Sequence, residues 1–172
     1  MNDFIAKWLG PPASVRADLA AAGDASTRAR QKLVLSSLVG VLSMTPVVLL
    51  QTGVVRHLPD PPWWRFDSDR VNRSRDAFRF RVPDGALALA GFALNIPLAA
   101  AGDRGRTPWI SVLAMAKTGI EAVVAAWYFS LMPRKQKRWC AYCVVGAAAS
   151  ALAFGSALPE GLRAIGRIGR TR

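Results

Sequence analysis

Histidine and cysteine are almost missing from this sequence: its 172 residues include one histidine, His57, and two cysteines, Cys140 and Cys143. That scarcity argues against a self-contained zinc centre, which takes about four ligands, and no metal site is expected. Internal repeats and low-complexity tracts are also lacking, which excludes a repeat array. Acidic residues are few, 11 against 23 lysines and arginines, so the formal net charge is +12. A soluble nucleic-acid binder could carry that charge, but rarely with 52% hydrophobic residues. Basic side chains near anionic lipid each gain on the order of 1 kcal/mol, so nucleic acid is not needed to explain the charge.

What the chain has instead is long apolar runs. A helix crossing a bilayer needs roughly 20 residues with few charges. Four segments meet or approach that length, at about 33–55, 85–102, 109–132 and 139–158, and only the third contains charged side chains. The links between them, 56–84, the turn 103–107 (DRGRT) and 133–138, are too charged to span. The N-terminal residues carry Asp18 and Asp24 and lead to no cleavage site, so the first run is expected to be a retained span and not a removed signal. In lipid every backbone polar group must be satisfied within its own segment, which favours helices. The expected fold is therefore an all-α integral membrane protein. It reads as a bundle of four transmembrane helices (33–158) with a capping loop between helices 1 and 2, a polar N-terminal segment (1–32) and a basic C-terminal tail (159–172). Small residues from Gly146 to Gly155 would let the last helix approach its neighbours closely.

Charge does not orient this bundle. With the N-terminus inside, eleven basic residues would face each side, so the positive-inside rule is silent.

Both cysteines sit three positions apart where the fourth helix should begin. Cys140 would meet the positive end of a helix dipole, with Arg134, Lys135, Lys137 and Arg138 close by, and both effects favour a nucleophilic thiolate. Burial in lipid opposes them. Cys140 and Cys143 could instead be ordinary small apolar residues of a membrane helix. A C-x-x-C at a helix start is nevertheless an unusual place for two inert thiols. A dithiol at a membrane face has an obvious redox partner in a lipid-soluble quinone, which takes two electrons.

The four spans, the C-x-x-C opening the fourth and the long loop after the first resemble the vitamin K epoxide reductase family of membrane thiol oxidoreductases. The resemblance covers about 33–158. The stretch WCAYCVVGAAASALAF resembles the family's catalytic helix, and SDRVNRSRDAFRFRVPDGALALAGFAL its loop and second helix. The resemblance implies that Cys143 faces a quinone, ubiquinone or menaquinone, while Cys140 exchanges disulfides. It further implies that Ser74 and Asn95 bind the quinone, although a buried asparagine could equally bridge two helices. Two features depart from the family pattern. Ala147 stands where a tyrosine is frequent, and Ser68, six residues before Ser74, stands where the loop carries a cysteine. With no cysteine anywhere in 56–84 the internal relay pair is missing, so the thiol partner is expected to be a separate protein or a small thiol.

Two further groups call for an explanation. Lys117 and Glu121, spaced i, i+4 in the third span, share a helix face. They could deliver protons to a quinone or form a mutual ion pair facing the bundle; neither reading leaves them on lipid. In the loop, Pro59, Pro61 and Pro62 stiffen the chain, and Trp63 and Trp64 suit the headgroup layer. Asp67 and Asp69 could suggest a cation site, but amid Arg65, Arg70 and Arg73 they read more readily as salt-bridged.

The sequence thus points to a thiol–quinone oxidoreductase in the bilayer, in a bacterial inner membrane with the loop on the periplasmic face. The contrasting reading is a non-catalytic membrane subunit or scaffold that retains the fold.

Overall fold

The computed structural model describes residues 16, 17 and 20, and then 25–63, 65–79, 81–101 and 107–170. Most of the N-terminal segment, most of the turn 103–107 and Trp64 lie outside the described residues. Within them the order is α1 (Ala25–Gln51), a short α2 (Ser68–Asn72), a 3-10 turn (Arg75–Phe78), α3 (Asp84–Ala100), α4 (Pro108–Leu131), a π-helical turn (Met132–Gln136) and α5 (Ala141–Arg170). Among the described residues there is no strand, and one isolated β-bridge pairs Phe66 with Trp139.

Three segments are long and apolar enough to cross a membrane: Ala25–Gln51, Pro108–Gln136 and Ala141–Arg170. The apolar α3 has 17 residues, a length of about 26 Å against a hydrocarbon core of about 30 Å. The helices are apolar outside as well as in. Leu42 is 71% exposed and Val123 70%, surface suited to lipid and unfavourable in water. Inside these helices Ser36, Ser43, Thr45 and Thr118 donate their hydroxyls to carbonyls three or four residues back, which keeps those four hydroxyls satisfied within their own helix.

Helix α1 packs on α3 and on α5, and α5 also packs on α4, whereas α3 and α4 touch little. Close approach follows from missing side chains. A Cβ at Gly40 would overlap the Phe92 ring, so only glycine lets that ring lie on the α1 backbone. On α5 the buried residues Gly146, Ala149, Ser150, Ala153, Ala157, Gly161 and Ala164 recur every three or four positions, a small-residue face turned toward its neighbours.

Helix ends differ from the expected spans. α1 begins earlier, at Ala25, and stops at Gln51, just before Gly53 at φ 78° turns the chain. Trp139 and Cys140 precede α5, because Trp139 is engaged by the bridge to Phe66. Beyond Leu158, α5 continues through Pro159 to Arg170, with Arg167 and Arg170 in its last turn, where positive charge suits the dipole.

The end of α1, the starts of α3 and α5, the end of α4 and the segment 52–83 share one end of the bundle. Gln51 Nε2 donates to Asp84 Oδ1 at 2.6 Å and to Asn72 O at 3.3 Å. Tyr128 Oη donates to Asp76 O at 3.4 Å. Toward the other end Ser111 Oγ donates to Glu160 Oε1 at 3.1 Å.

Candidate redox site at the start of the last helix

Cys140 and Cys143 form a disulfide, their Cα atoms 5.2 Å apart. Helical spacing brings the two side chains together, and Cys140 acts as the cap of α5. Its carbonyl accepts from Val144 N at 3.0 Å, and its sulfur accepts from Cys143 N at 3.1 Å. The two environments are unlike. Cys140 is 0% exposed; Cys143 lines a cavity.

What covers Cys140 is the segment 56–74. Asp67 N donates to Trp139 O and Trp139 N to Arg65 O, both at 2.9 Å, which locks this segment to the residue before Cys140. Asp67 then caps α2 by accepting from Arg70 N at 2.9 Å. Ser68 and Asn72, four apart on one face of α2, turn toward the thiol pair. Ser68 Oγ accepts from Ala141 N at 3.2 Å and donates to Asp60 Oδ1 at 2.5 Å, while Asp60 Oδ2 accepts from Ser68 N at 2.7 Å. Asn72 Nδ2 donates to Cys140 Sγ at 3.2 Å. Neither residue was expected to act here: Ser68 stood out in the sequence only as a missing cysteine, and Asn72 not at all. The available signal was the Asp67 cap followed by two polar residues at i, i+4 spacing.

Asp69 ties the same segment together from outside. It accepts from Leu58 N at 2.9 Å and pairs with His57 Nδ1 at 2.6 Å, with Arg73 at 3.9 Å. Burial pushes its carboxyl up, but the His57 and Leu58 hydrogen bonds and the nearby positive charges outweigh that and leave it below the ordinary carboxylate range. Asp67 and Asp69 are thus spent on a cap and an ion pair.

The cavity beside Cys143 measures about 260 Å³ and lies where α3 and α4 part. Its wall is mostly apolar, from Met44, Val47, Ala88, Phe92, Val124 and Met132, with Ser74, Asn72, Glu121, Tyr128 and Gln136 supplying polar atoms. Gly146 opens it: a Cβ there would stand 2.7 Å from Met44 Cε. Asp76 organises the rim, accepting from Gln136 Nε2 and Lys135 Nζ, each at 3.3 Å.

Of the residues singled out in the sequence, Cys143, Ser74 and Glu121 meet at this cavity, and Cys140 lies behind Cys143. Asn95 is not among the lining residues. It is 1% exposed, and its amide is engaged with the third-span pair. Asn95 Nδ2 donates to Glu121 Oε2 at 2.9 Å, and Asn95 Oδ1 accepts from Lys117 Nζ at 2.8 Å. Lys117 also donates to Gly91 O at 2.7 Å and to Glu121 Oε1. The three donors of the ammonium therefore have three acceptors, and the cluster joins α4 to α3 where the two helices otherwise barely meet.

Helical architecture, a disulfide at the start of an apolar helix and an apolar cavity beside one sulfur describe a membrane thiol oxidoreductase. The chain belongs to the vitamin K epoxide reductase family, whose model matches residues 31–158. No curated protein and no solved structure matched it.

Proposed function

We propose that this protein is a membrane thiol–quinone oxidoreductase in which Cys140 and Cys143 alternate between disulfide and dithiol. The observation that carries this reading is the asymmetry of the pair: Cys143 faces an apolar cavity inside the bundle, and Cys140 faces a polar cap at its end. On this reading α3 is the fourth span, short enough to leave Asp84 at the level of the cap, and segment 52–83 is the capping loop. The cavity fits a quinone head in its donor set. Ser74 offers a hydroxyl on a mostly apolar wall, and Tyr128 and Gln136, each donating to Asp76, line it beside Ser74. A quinone there, ubiquinone or menaquinone, takes two electrons and two protons from the dithiol as the disulfide forms.

The chain's own residues divide the remaining work. Cys143 presents its sulfur to the cavity and Cys140 exchanges with an external thiol protein or small thiol. Because Cys140 is covered and the cap carries no thiol of its own, exchange requires the cap to swing aside. That movement releases the Phe66–Trp139 bridge and the bond from Ala141 N to Ser68. The Lys117–Glu121–Asn95 cluster serves as a clamp between α3 and α4, and Asn95 acts on the cavity only through Glu121.

The test is trapping. Cys143→Ser should accumulate a reductant-sensitive mixed disulfide at Cys140 after acid quenching and alkylation, visible by mass spectrometry, because the resolving thiol is gone. Cys140→Ser should accumulate none. If the wild-type dithiol is never oxidised by added ubiquinone or menaquinone and neither variant traps a partner, the scaffold reading takes its place. Ser68, standing buried where a loop thiol is missing, already favours that alternative.

A further inference from the structure

Asn72 is 2% exposed, and its side chain reaches both sulfurs of the pair. Its amide orientation follows from its neighbours. Ser68 O, an acceptor only, lies 2.8 Å from Nδ2, so the amino group must face that carbonyl. The same amino group stands 3.2 Å from Cys140 Sγ, which leaves Oδ1 3.6 Å from Cys143 Sγ. Cys140 Sγ thus receives two N–H donors, Asn72 Nδ2 and the amide of Cys143. Cys143 faces the carbonyl oxygen of the same amide. The bond from Gln51 Nε2 to Asn72 O holds the backbone of this residue against α1.

We propose that Asn72 is a catalytic residue that sorts charge within the thiol pair: its amino group holds a thiolate on Cys140 while its carbonyl oxygen holds the proton on Cys143. This inference rests on the redox reading of the pair. Reduction by a dithiol breaks the Cys140–Cys143 bond and leaves a thiolate on Cys140 and a thiol on Cys143. The reductant is oxidised to its own disulfide, and one proton is released. A neutral disulfide sulfur accepts hydrogen bonds weakly and a thiolate strongly. Asn72 therefore favours the reduced pair over the oxidised one, and Cys140 over Cys143 as the attacking sulfur. A loop that has lost its own thiols still acts on the pair in this way, through an amide.

The experiment uses the full chain in detergent micelles. In a Cys143→Ser background, the ultraviolet absorbance of the Cys140 thiolate is followed against pH. This readout does not require a reagent to reach the buried sulfur. Asn72→Leu, close in shape but without donor or acceptor, should raise the titration midpoint by about one unit, a tenfold loss of thiolate below the midpoint. In the Cys140–Cys143 protein the same change should shift equilibrium with dithiothreitol about tenfold toward the disulfide, or about 30 mV for a two-electron couple. Asn72→Asp keeps the shape, removes the donor and adds negative charge, so its midpoint should rise at least as far. If the leucine variant does not fold, the aspartate variant decides alone. An unchanged midpoint overturns the proposal, and so does a wild-type midpoint in Asn72→Asp beside a shifted one in Asn72→Leu, because then only shape matters. None of these measurements involves a quinone. Failure of the quinone reading would instead appear as a wild-type dithiol that added quinone does not oxidise.

Discussion

Removing the charge of Lys117 should cost this bundle more than removing Lys117 and Glu121 together. In the native cluster the ammonium has acceptors at 2.7 Å (Gly91 O) and 2.8 Å (Asn95 Oδ1) besides Glu121 Oε1, and each side chain of the ion pair is 21% exposed. Lys117→Met keeps the length and apolar stem but leaves Gly91 O and Asn95 Oδ1 without their donor. It also leaves Glu121 with Asn95 as its remaining partner here. Breaking a buried ion pair on one side typically costs about 3–5 kcal/mol. The partial exposure of this pair places the expectation near 3 kcal/mol. The double variant Lys117→Met/Glu121→Leu removes both charges and fills the space with apolar atoms. Its cost reduces mainly to the stranded amide of Asn95, about 1–3 kcal/mol for an unsatisfied polar group. The coupling between the two positions should then exceed about 2 kcal/mol.

The assay is reversible unfolding in mixed micelles titrated with a denaturing detergent, with the two single variants and the double variant compared as a cycle. A Lys117→Met cost below about 1 kcal/mol, or a double variant costing the sum of the singles, would refute the clamp, since uncoupled groups add. Glu121→Gln separates the clamp from proton delivery. It keeps an acceptor for Lys117 and adds a donor, so it should unfold more like wild type than Lys117→Met does. If it retains stability but loses quinone reduction, Glu121 is the proton source for the cavity and the clamp is secondary.

Two other outcomes follow from the same geometry. A membrane-impermeant thiol reagent on intact bacterial cells should label a cysteine placed at exposed Arg75 and spare one placed at exposed Gly169, with the reverse pattern inverting the proposed topology; Ser68, being fully buried, is unsuited to this test. The depressed carboxyl of Asp69 makes its tether a source of stability that is fully present above the unfolded value of about 3.8 and is lost as pH falls through the lower folded value. Exchange of the Leu58 amide, which donates to Asp69, should accelerate below that point, and Asp69→Asn should abolish the step; acceleration well above it would mean that another group holds the cap.

Much of the helical architecture was legible because apolar runs of spanning length have few alternatives. Helix ends were less so. Read from the sequence, the last span ends at 158 with a basic tail after it, yet α5 passes through Pro159, because α5 is long enough to lose one hydrogen bond and its last turns gain from Arg167 and Arg170. The i, i+4 pair of Lys117 and Glu121 could be read as neighbours, but their third partner could not. Asn95 lies on a different helix, and nothing in local periodicity ties it to α4.

The cap was hardest to read, and the reason is physical. Its β-type pairing with the last helix's start is an isolated bridge between Phe66 and Trp139, too short to leave any alternation of apolar and polar residues. Asn72 and Cys140 are 68 positions apart in the chain. In the sequence the loop stands out chiefly by what it lacks, a cysteine at Ser68, an absence that points to a missing internal relay pair and an outside thiol partner. The side chains that stand there instead make a different argument. Ser68 caps Ala141 and anchors Asp60, and Asn72 bonds the sulfur that a loop thiol would otherwise attack. On the proposed redox reading, hydrogen bonds that can open without chemistry stand where a loop thiol would form a covalent link between cap and helix. Each of those bonds contributes about 1 kcal/mol net, so a few of them hold the cap closed yet leave opening accessible on binding a partner. If the proposed thiol–quinone cycle operates, opening of this kind is the route left, without a relay thiol in the loop, for electrons to reach Cys140 from outside.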